Sequence, residues 1–183
     1  ALLEGARTPG AKILISGGGR CNVTNTIVSE RDFWGGSPAE IRRVLRAFTA
    51  DDARAFFLRL GVTLHEEPDG KLFPDSNRAR DVLDALLNHV HHTGVTLLAA
   101  HRVLEVARTI GGFAVVTNRC QLTARRIVLA TGGRSLPKSG SDGAGYEIAR
   151  SLGHSVVATT PALAPLLLDA SSHSLHATLS GVA

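Results

Sequence analysis

Apolar residues follow two different periods along this chain, and the change comes near residue 95. Before it, Val82, Leu83, Leu86, Leu87 and Val90 recur at three- and four-residue steps. That spacing is one face of a helix, with Ser76 as its expected cap and Gly94 as its stop. Two earlier helices have legible starts. Ser37-Pro38-Ala39-Glu40 sets an N-cap serine before a first-turn proline and glutamate. Thr49-Ala50-Asp51-Asp52 repeats that logic, and Gly61 closes the helix carrying Phe56, Phe57 and Leu60. Between them and the third helix, Val62-Thr63-Leu64 and Lys71-Leu72-Phe73 flank Pro68-Asp69-Gly70, which predicts a hairpin.

From Val95 onward the period is two. Residues 95–98, 102–107, 113–117 and 126–130 predict strands, with Gly111-Gly112 as the turn joining the second and third. The last is continuously apolar and runs into Thr131-Gly132-Gly133, the pattern of a parallel strand buried on both faces. A helix through Ile148 and Leu152 ends at Gly153. Ala1-Leu2-Leu3-Glu4 has the character of a buried strand ending in a carboxylate, and Pro161 opens a new segment, 161–183, rich in serine and histidine. Helices alternating with strands indicate an α/β domain over residues 1–160.

Composition narrows the class. The 183 residues are 44% apolar and 20% charged, with 19 glycines, which suits one globular domain or one plus part of another. Roughly 70% of the unfolded surface is buried at this length, enough for a core without staples. Cys21 and Cys120 are the only cysteines, which excludes a disulfide framework and a cysteine zinc site and makes the reducing cytoplasm the expected compartment. No apolar run approaches the ~18 residues of a membrane span, so a membrane partner is not expected. Methionine is absent and residue 1 is alanine, so the chain reads as a piece that starts upstream. Twenty basic residues against sixteen acidic give a net charge of +4, yet scattered arginines and 4% aromatics disfavour nucleic acid.

Glycine-rich turns at strand ends, beside helix N-termini, are where α/β proteins hold phosphates. Two turns invite that role, Gly17–Gly19 and Gly132–Gly133; the alternative is that they only bend the chain. Neither matches GxGxxG or GxxxxGK[ST], which disfavours a P-loop NTPase. Glu4 favours the nucleotide, because an acidic residue at a strand end binds adenosine ribose ~20 residues beyond a dinucleotide fingerprint. That fingerprint would precede residue 1. Other residues have plainer expectations: no metal site for His89, His91 and His92, a packing role for Cys21, solvated charge for Glu66-Glu67, and a cap or turn for Asp142.

The block from Lys12 through Ser16, Gly17, Gly18, Gly19, Arg20, Cys21, Asn22 and Val23 to Asn25 resembles the hallmark of the BaiN-like or aminoacetone-oxidase-like NAD(P)/FAD-dependent oxidoreductases. Three further blocks come in family order: Glu66 to Pro74, Ala130 to Ser135, and Pro137 through Gly143 to His154. Pro161-Ala162-Leu163 to Leu166 also matches. The resemblance implies a glutathione-reductase-like, Rossmann-type FAD-binding domain with helical and β-meander insertions, incomplete at both ends, and an inserted β-rich domain starting near Pro161. It implies FAD as cofactor, NAD(P)H as a candidate donor, and an unidentified small-molecule substrate. By position, Glu4 would hold the ribose. Lys12, Ser16, Gly17, Gly18, Gly19, Arg20, Cys21 and Asn22 would lie along the pyrophosphate and flavin. Val103 would offer main chain to adenine, and Ala130, Thr131, Gly132 and Gly133 would close the second contact. No catalytic acid or base is implied. Two residues depart from the family pattern: Ala11 where a basic residue is common, and Leu136 where an aromatic is usual.

Overall fold

The computed structural model describes residues 1–135 and 137–161. Leu136 and most of the segment expected to open a second domain lie outside the described residues. The elements are β1 (Leu2–Leu3), α1 (Ala11–Ile15), β2 (Thr24–Asn25), α2 (Pro38–Ala47), α3 (Ala50–Arg59), β3 (Leu64–Glu66), β4 (Lys71–Pro74), α4 (Ala79–His92), β5 (Leu97–Leu98), β6 (Val103–Thr109), β7 (Gly112–Thr117), β8 (Gln121–Ala124) and α5 (Ala144–Ser151). The fold is mixed α/β. Its parallel part is β1 beside β5; β2-β4-β3 and β6-β7-β8 are antiparallel.

Local signals account for much of this. Thr49 accepts from the Asp52 N–H while the Asp52 carboxylate accepts from the Thr49 N–H, a reciprocal cap at the start of α3. The β3–β4 hairpin and the β6–β7 pair form where alternation and turn residues predict them. Other starts differ. Pro38 takes the first position of α2, but Ser37 makes no side-chain cap bond. The third long helix begins at Ala79 rather than beside Ser76; a hydrogen bond from Ser76 instead helps hold the Asp81 carboxyl below its ordinary range.

The largest difference concerns residues 126–130. They join no sheet among the described residues, and Val128 is 90% exposed. A strand buried on both faces needs a hydrogen-bonding neighbour, and the described chain supplies none; only Ile127 packs inward. The opening strand is likewise shorter than expected, and Leu2 stays 43% exposed because among the described residues β1 has a neighbour only in β5.

Two apolar clusters hold these elements in place. Cys21, Val62, Ala79 and Val82 form one, with Ile13, Leu14 and Phe57 packed against it. It seats α1 on α4. Val106, Val115 and Ile148 form the other, with Leu3, Val103 and Ile127 against it, and it fixes α5 on the β6–β8 meander.

Candidate cofactor site

The triple glycine leaves the end of α1 as a tight 3-10 turn, Ser16–Gly19. All three glycines have positive φ: 54° at Gly17, 67° at Gly18 and 87° at Gly19. The turn is closed by the Arg20 N–H on the Gly17 carbonyl (3.3 Å) and the Cys21 N–H on the Ser16 carbonyl (3.0 Å). Glycine is required at position 17 for two reasons, since a Cβ there would lie 2.7 Å from the Phe73 ring and 2.8 Å from the Asn22 nitrogen. At Gly18 the situation is reversed: nothing lies within 4 Å of where a Cβ would stand. Bare left-handed main chain faces open space.

One expectation about this turn needs correction. It lies at the C-terminal end of α1 and not at a helix N-terminus. The helix dipole therefore gives no help with an anion there, and anion affinity must come from the N–H groups of the turn itself and from nearby cations.

Those cations are Lys12 and Arg20. Lys12 Nζ donates to Ser135 Oγ at 3.0 Å, a contact across 123 residues that joins α1 to the segment after the second glycine turn. That second turn rests on the start of α5. A Cβ on Gly133 would come 2.9 Å from the Tyr146 hydroxyl oxygen, and one on Gly145 would collide with the Thr131 side chain. Ala130, Thr131 and Gly132 are themselves exposed. Arg20 is held more firmly: it forms a bidentate ion pair with Glu67 and its guanidinium carbon lies 4.1 Å above the centre of the Phe73 ring. Glu67 is thus not free solvated charge. The Arg20 hydrogen bond holds its carboxyl below the usual carboxylate range. Cys21 is 6% exposed and lies in the first core cluster, as a packing residue would; Asn22 is exposed at the surface.

Glu4 and Val103 belong to a separate corner. The Glu4 carboxylate accepts the Ala6 N–H at 2.8 Å, while its main chain bridges Leu98 and His101. Val103 opens β6 opposite Thr117 and packs against the same cluster as Leu3. A Cβ on Gly5 would come 3.2 Å from Arg102 Cδ. Arg102 ion-pairs with Asp142, whose other oxygen accepts the Ala144 N–H at 3.1 Å. Asp142 therefore does act as a helix-start acceptor, and it also ties the Glu4 corner to α5 and the second glycine turn.

Both Asp142 partners favour its ionised form, the Arg102 hydrogen bond most, and its carboxyl is lowered. A lowered carboxyl stabilises the fold at pH values above its unfolded pKa of ~3.9, and that contribution is lost as the pH falls through the folded value. The urea midpoint should therefore fall on acidification below about pH 4, and Asp142→Asn should reduce that fall while lowering the midpoint at neutral pH. Equal pH slopes in both proteins would contradict the assignment.

Glu67, Phe73, Arg102 and Ser135 are not marked by the sequence as site residues. Each meets its partner across 40 or more residues or through an aromatic face, which no periodicity reports. A hollow of about 440 Å3 lies elsewhere, between Val28, Glu30, Arg42, Leu45, Phe48 and Thr49. Among the described residues no helix is long and apolar enough to cross a membrane.

The HI0933-like protein Rossmann domain matches residues 1–183, the whole chain. This chain belongs to the HI0933-like Rossmann-domain family. That family binds FAD, which supports FAD as the cofactor. Similar proteins include a ribosomal RNA dihydrouridine synthase of Escherichia coli, 35% identical over 91% of this chain and 42% of its own length. Another is a 3-dehydro-bile acid delta(4,6)-reductase of Clostridium scindens, 34% identical over 90% of this chain and 40% of its own. A ribosomal RNA dihydrouridine synthase of Haemophilus influenzae is 30% identical over 99% and 46% respectively. The chain thus spans less than half the length of these relatives.

Proposed function

We propose that this chain is the cofactor-holding segment of an FAD-dependent oxidoreductase that moves hydride from NAD(P)H to an organic acceptor. The observation that carries the reading is Gly18: its main chain is exposed, left-handed and unobstructed, on a turn flanked by Lys12 and Arg20. Such a turn can approach a diphosphate closely, as a residue with a Cβ could not. When bound, FAD supplies the hydride chemistry. The residues of this chain supply binding and orientation. Lys12, Ser16 and the N–H groups of Gly17, Gly18 and Gly19 answer the diphosphate charge; Arg20 and Asn22 offer donors toward the flavin ring, and Cys21 anchors the turn in the core. Glu4 takes the ribose, Val103 offers main chain to adenine, and Ala130, Thr131, Gly132 and Gly133 border the dinucleotide from the second turn.

The relatives' names favour one acceptor chemistry. A dihydrouridine synthase and a delta(4,6)-reductase both add hydrogen across a carbon–carbon double bond. The proposed net reaction is therefore the addition of one hydride and one proton across such a bond in an electron-poor ring, with the nicotinamide oxidised. The test is purification of the full-length protein that carries this segment, with its bound flavin. About one FAD per full-length chain, bleached by NADH or NADPH and re-oxidised by a uridine-containing ribosomal RNA or by an unsaturated 3-oxo steroid, is the expected result, whereas residues 1–183 alone should bind FAD weakly or not at all; a folded full-length protein that binds no FAD ends the reading.

A smaller effect is expected at Glu4. Its carboxylate already has the Ala6 N–H, which orients it and leaves acceptor capacity for a sugar hydroxyl. Glu4→Ala should weaken FAD binding by about 1–3 kcal/mol, measured by fluorescence titration of the flavin-stripped protein. Unchanged affinity would remove Glu4 from the site.

A further inference from the structure

The Arg20 side chain is restrained by both an ion pair and a ring face. It sits in a frame of three parts, two from the β3–β4 hairpin and one from its own turn. Phe73, on the central strand β4, supplies a ring face 4.1 Å from the guanidinium carbon. The edge of the same ring occupies the space that a Cβ on Gly17 would need. Glu67, at the end of the β3 arm of the hairpin, grips the guanidinium at both Nη atoms. A guanidinium has five N–H donors, and Glu67 takes one from each Nη. The remaining three meet no acceptor among the described residues, and the side chain is partly exposed. A planar cation fixed on one face and one edge, with its other donors unspent, is organised to meet a further polar group.

We propose that Glu67 is a positioning residue that acts through Arg20. It fixes the plane of the guanidinium and partly neutralises its charge, and thereby sets how strongly Arg20 stabilises the negative charge of a reduced flavin. This inference rests on the FAD reading above and adds a redox role for a residue outside the glycine turn. The charged surroundings of Glu67 are limited. His65 Nε2 lies 3.8 Å from its Oε1, and His65 Nδ1 faces Asp75 at 3.3 Å. Arg20 is the partner in direct contact with both Glu67 oxygens.

The sign of the effect comes from charge. Glu67→Gln keeps a side chain of the same size that can still accept from Arg20, and removes one negative charge beside it. Arg20 is then a less compensated cation, the reduced anionic flavin gains relative to the oxidised one, and the midpoint potential rises. A tenfold change in the ratio of the two affinities is about 30 mV for a two-electron couple, well within reach of dye-equilibrated titration. A brace that only held the loop would loosen flavin binding without raising the potential.

The experiment is redox titration of the purified holoprotein, with FAD affinity measured in parallel, for the native protein, Glu67→Gln, Arg20→Gln and the double variant. The expected pattern is a raised midpoint in Glu67→Gln, a lowered one in Arg20→Gln, and a double variant in which the Glu67 substitution has lost at least half its effect. An unchanged midpoint in flavin-bearing Glu67→Gln overturns the proposal, and so does full additivity in the double variant, which would make Glu67 a charge acting independently of Arg20. Should Glu67→Gln fail to retain flavin, Glu67→Asp is titrated instead; it keeps the charge but shortens the reach, and a native midpoint there also overturns the proposal. A full-length native protein that takes up no FAD would instead overturn the underlying functional reading, and the two failures are thus distinguishable.

Discussion

Phe73→Ala should destabilise the protein by about 3–5 kcal/mol, the usual cost of removing a buried aromatic ring. Phe73 is 2% exposed and serves three neighbours at once. It lies on β4, the middle strand of the β2-β4-β3 sheet, its ring edge fills the space beside Gly17, and its face carries the Arg20 guanidinium. His65 stacks near the ring as well, with centroids 6.5 Å apart. Removing the ring leaves a cavity directly beneath the glycine turn, so loss of stability and loss of flavin should occur together. Phe73→Leu refills most of the volume and should recover much of the stability, but it offers no π-face to Arg20. Urea unfolding with FAD titration separates the two effects: a stable Phe73→Leu protein with weakened FAD binding is expected, and a Phe73→Ala protein with a native unfolding midpoint would show that the ring is not part of the core.

The range of each interaction decides whether the sequence reveals it. Thr49 and Asp52 stand three residues apart, and the cap they form needs nothing else. The alternation in 102–117 likewise declares β6 and β7, because each strand's neighbour is the next one along the chain. Residues 126–130 have just as strong a strand pattern and yet pair with nothing among the described residues, because an apolar run states a preference for burial and cannot supply a partner. The same division holds at the site. The triple glycine is legible as a backbone approach because glycine has few other reasons to occur three times in succession. Its place after a helix end is not, because residues 11–15 are too few to show a period. Glu67 reads as surface charge because its partner lies 47 residues away. The pairs Lys12–Ser135 and Arg102–Asp142, which draw the two glycine turns and the Glu4 corner into one region, are invisible for the same reason.

Gly18→Val should lower FAD affinity about ten- to a hundredfold, through loss of one or two polar contacts worth about 1.5–3 kcal/mol when the partner is charged. Two effects of this substitution must be separated. The first is strain, because φ at Gly18 is 67° and a β-branched residue is a conformational outlier there; the cost is about 1–2 kcal/mol of stability whether or not a ligand binds. The second is obstruction of the approaching diphosphate, which affects only the holoprotein. Gly61 provides the control. It has φ 82° and nothing within 4 Å of a would-be Cβ, and it closes α3 rather than the cofactor turn. Gly61→Val should therefore lose a similar amount of stability and keep its FAD. If both variants retain FAD equally, the turn does not face the diphosphate. If both lose it equally, strain rather than obstruction governs binding. Only loss confined to Gly18→Val, with matched unfolding midpoints, identifies the bare main chain at this position as the surface on which the cofactor rests.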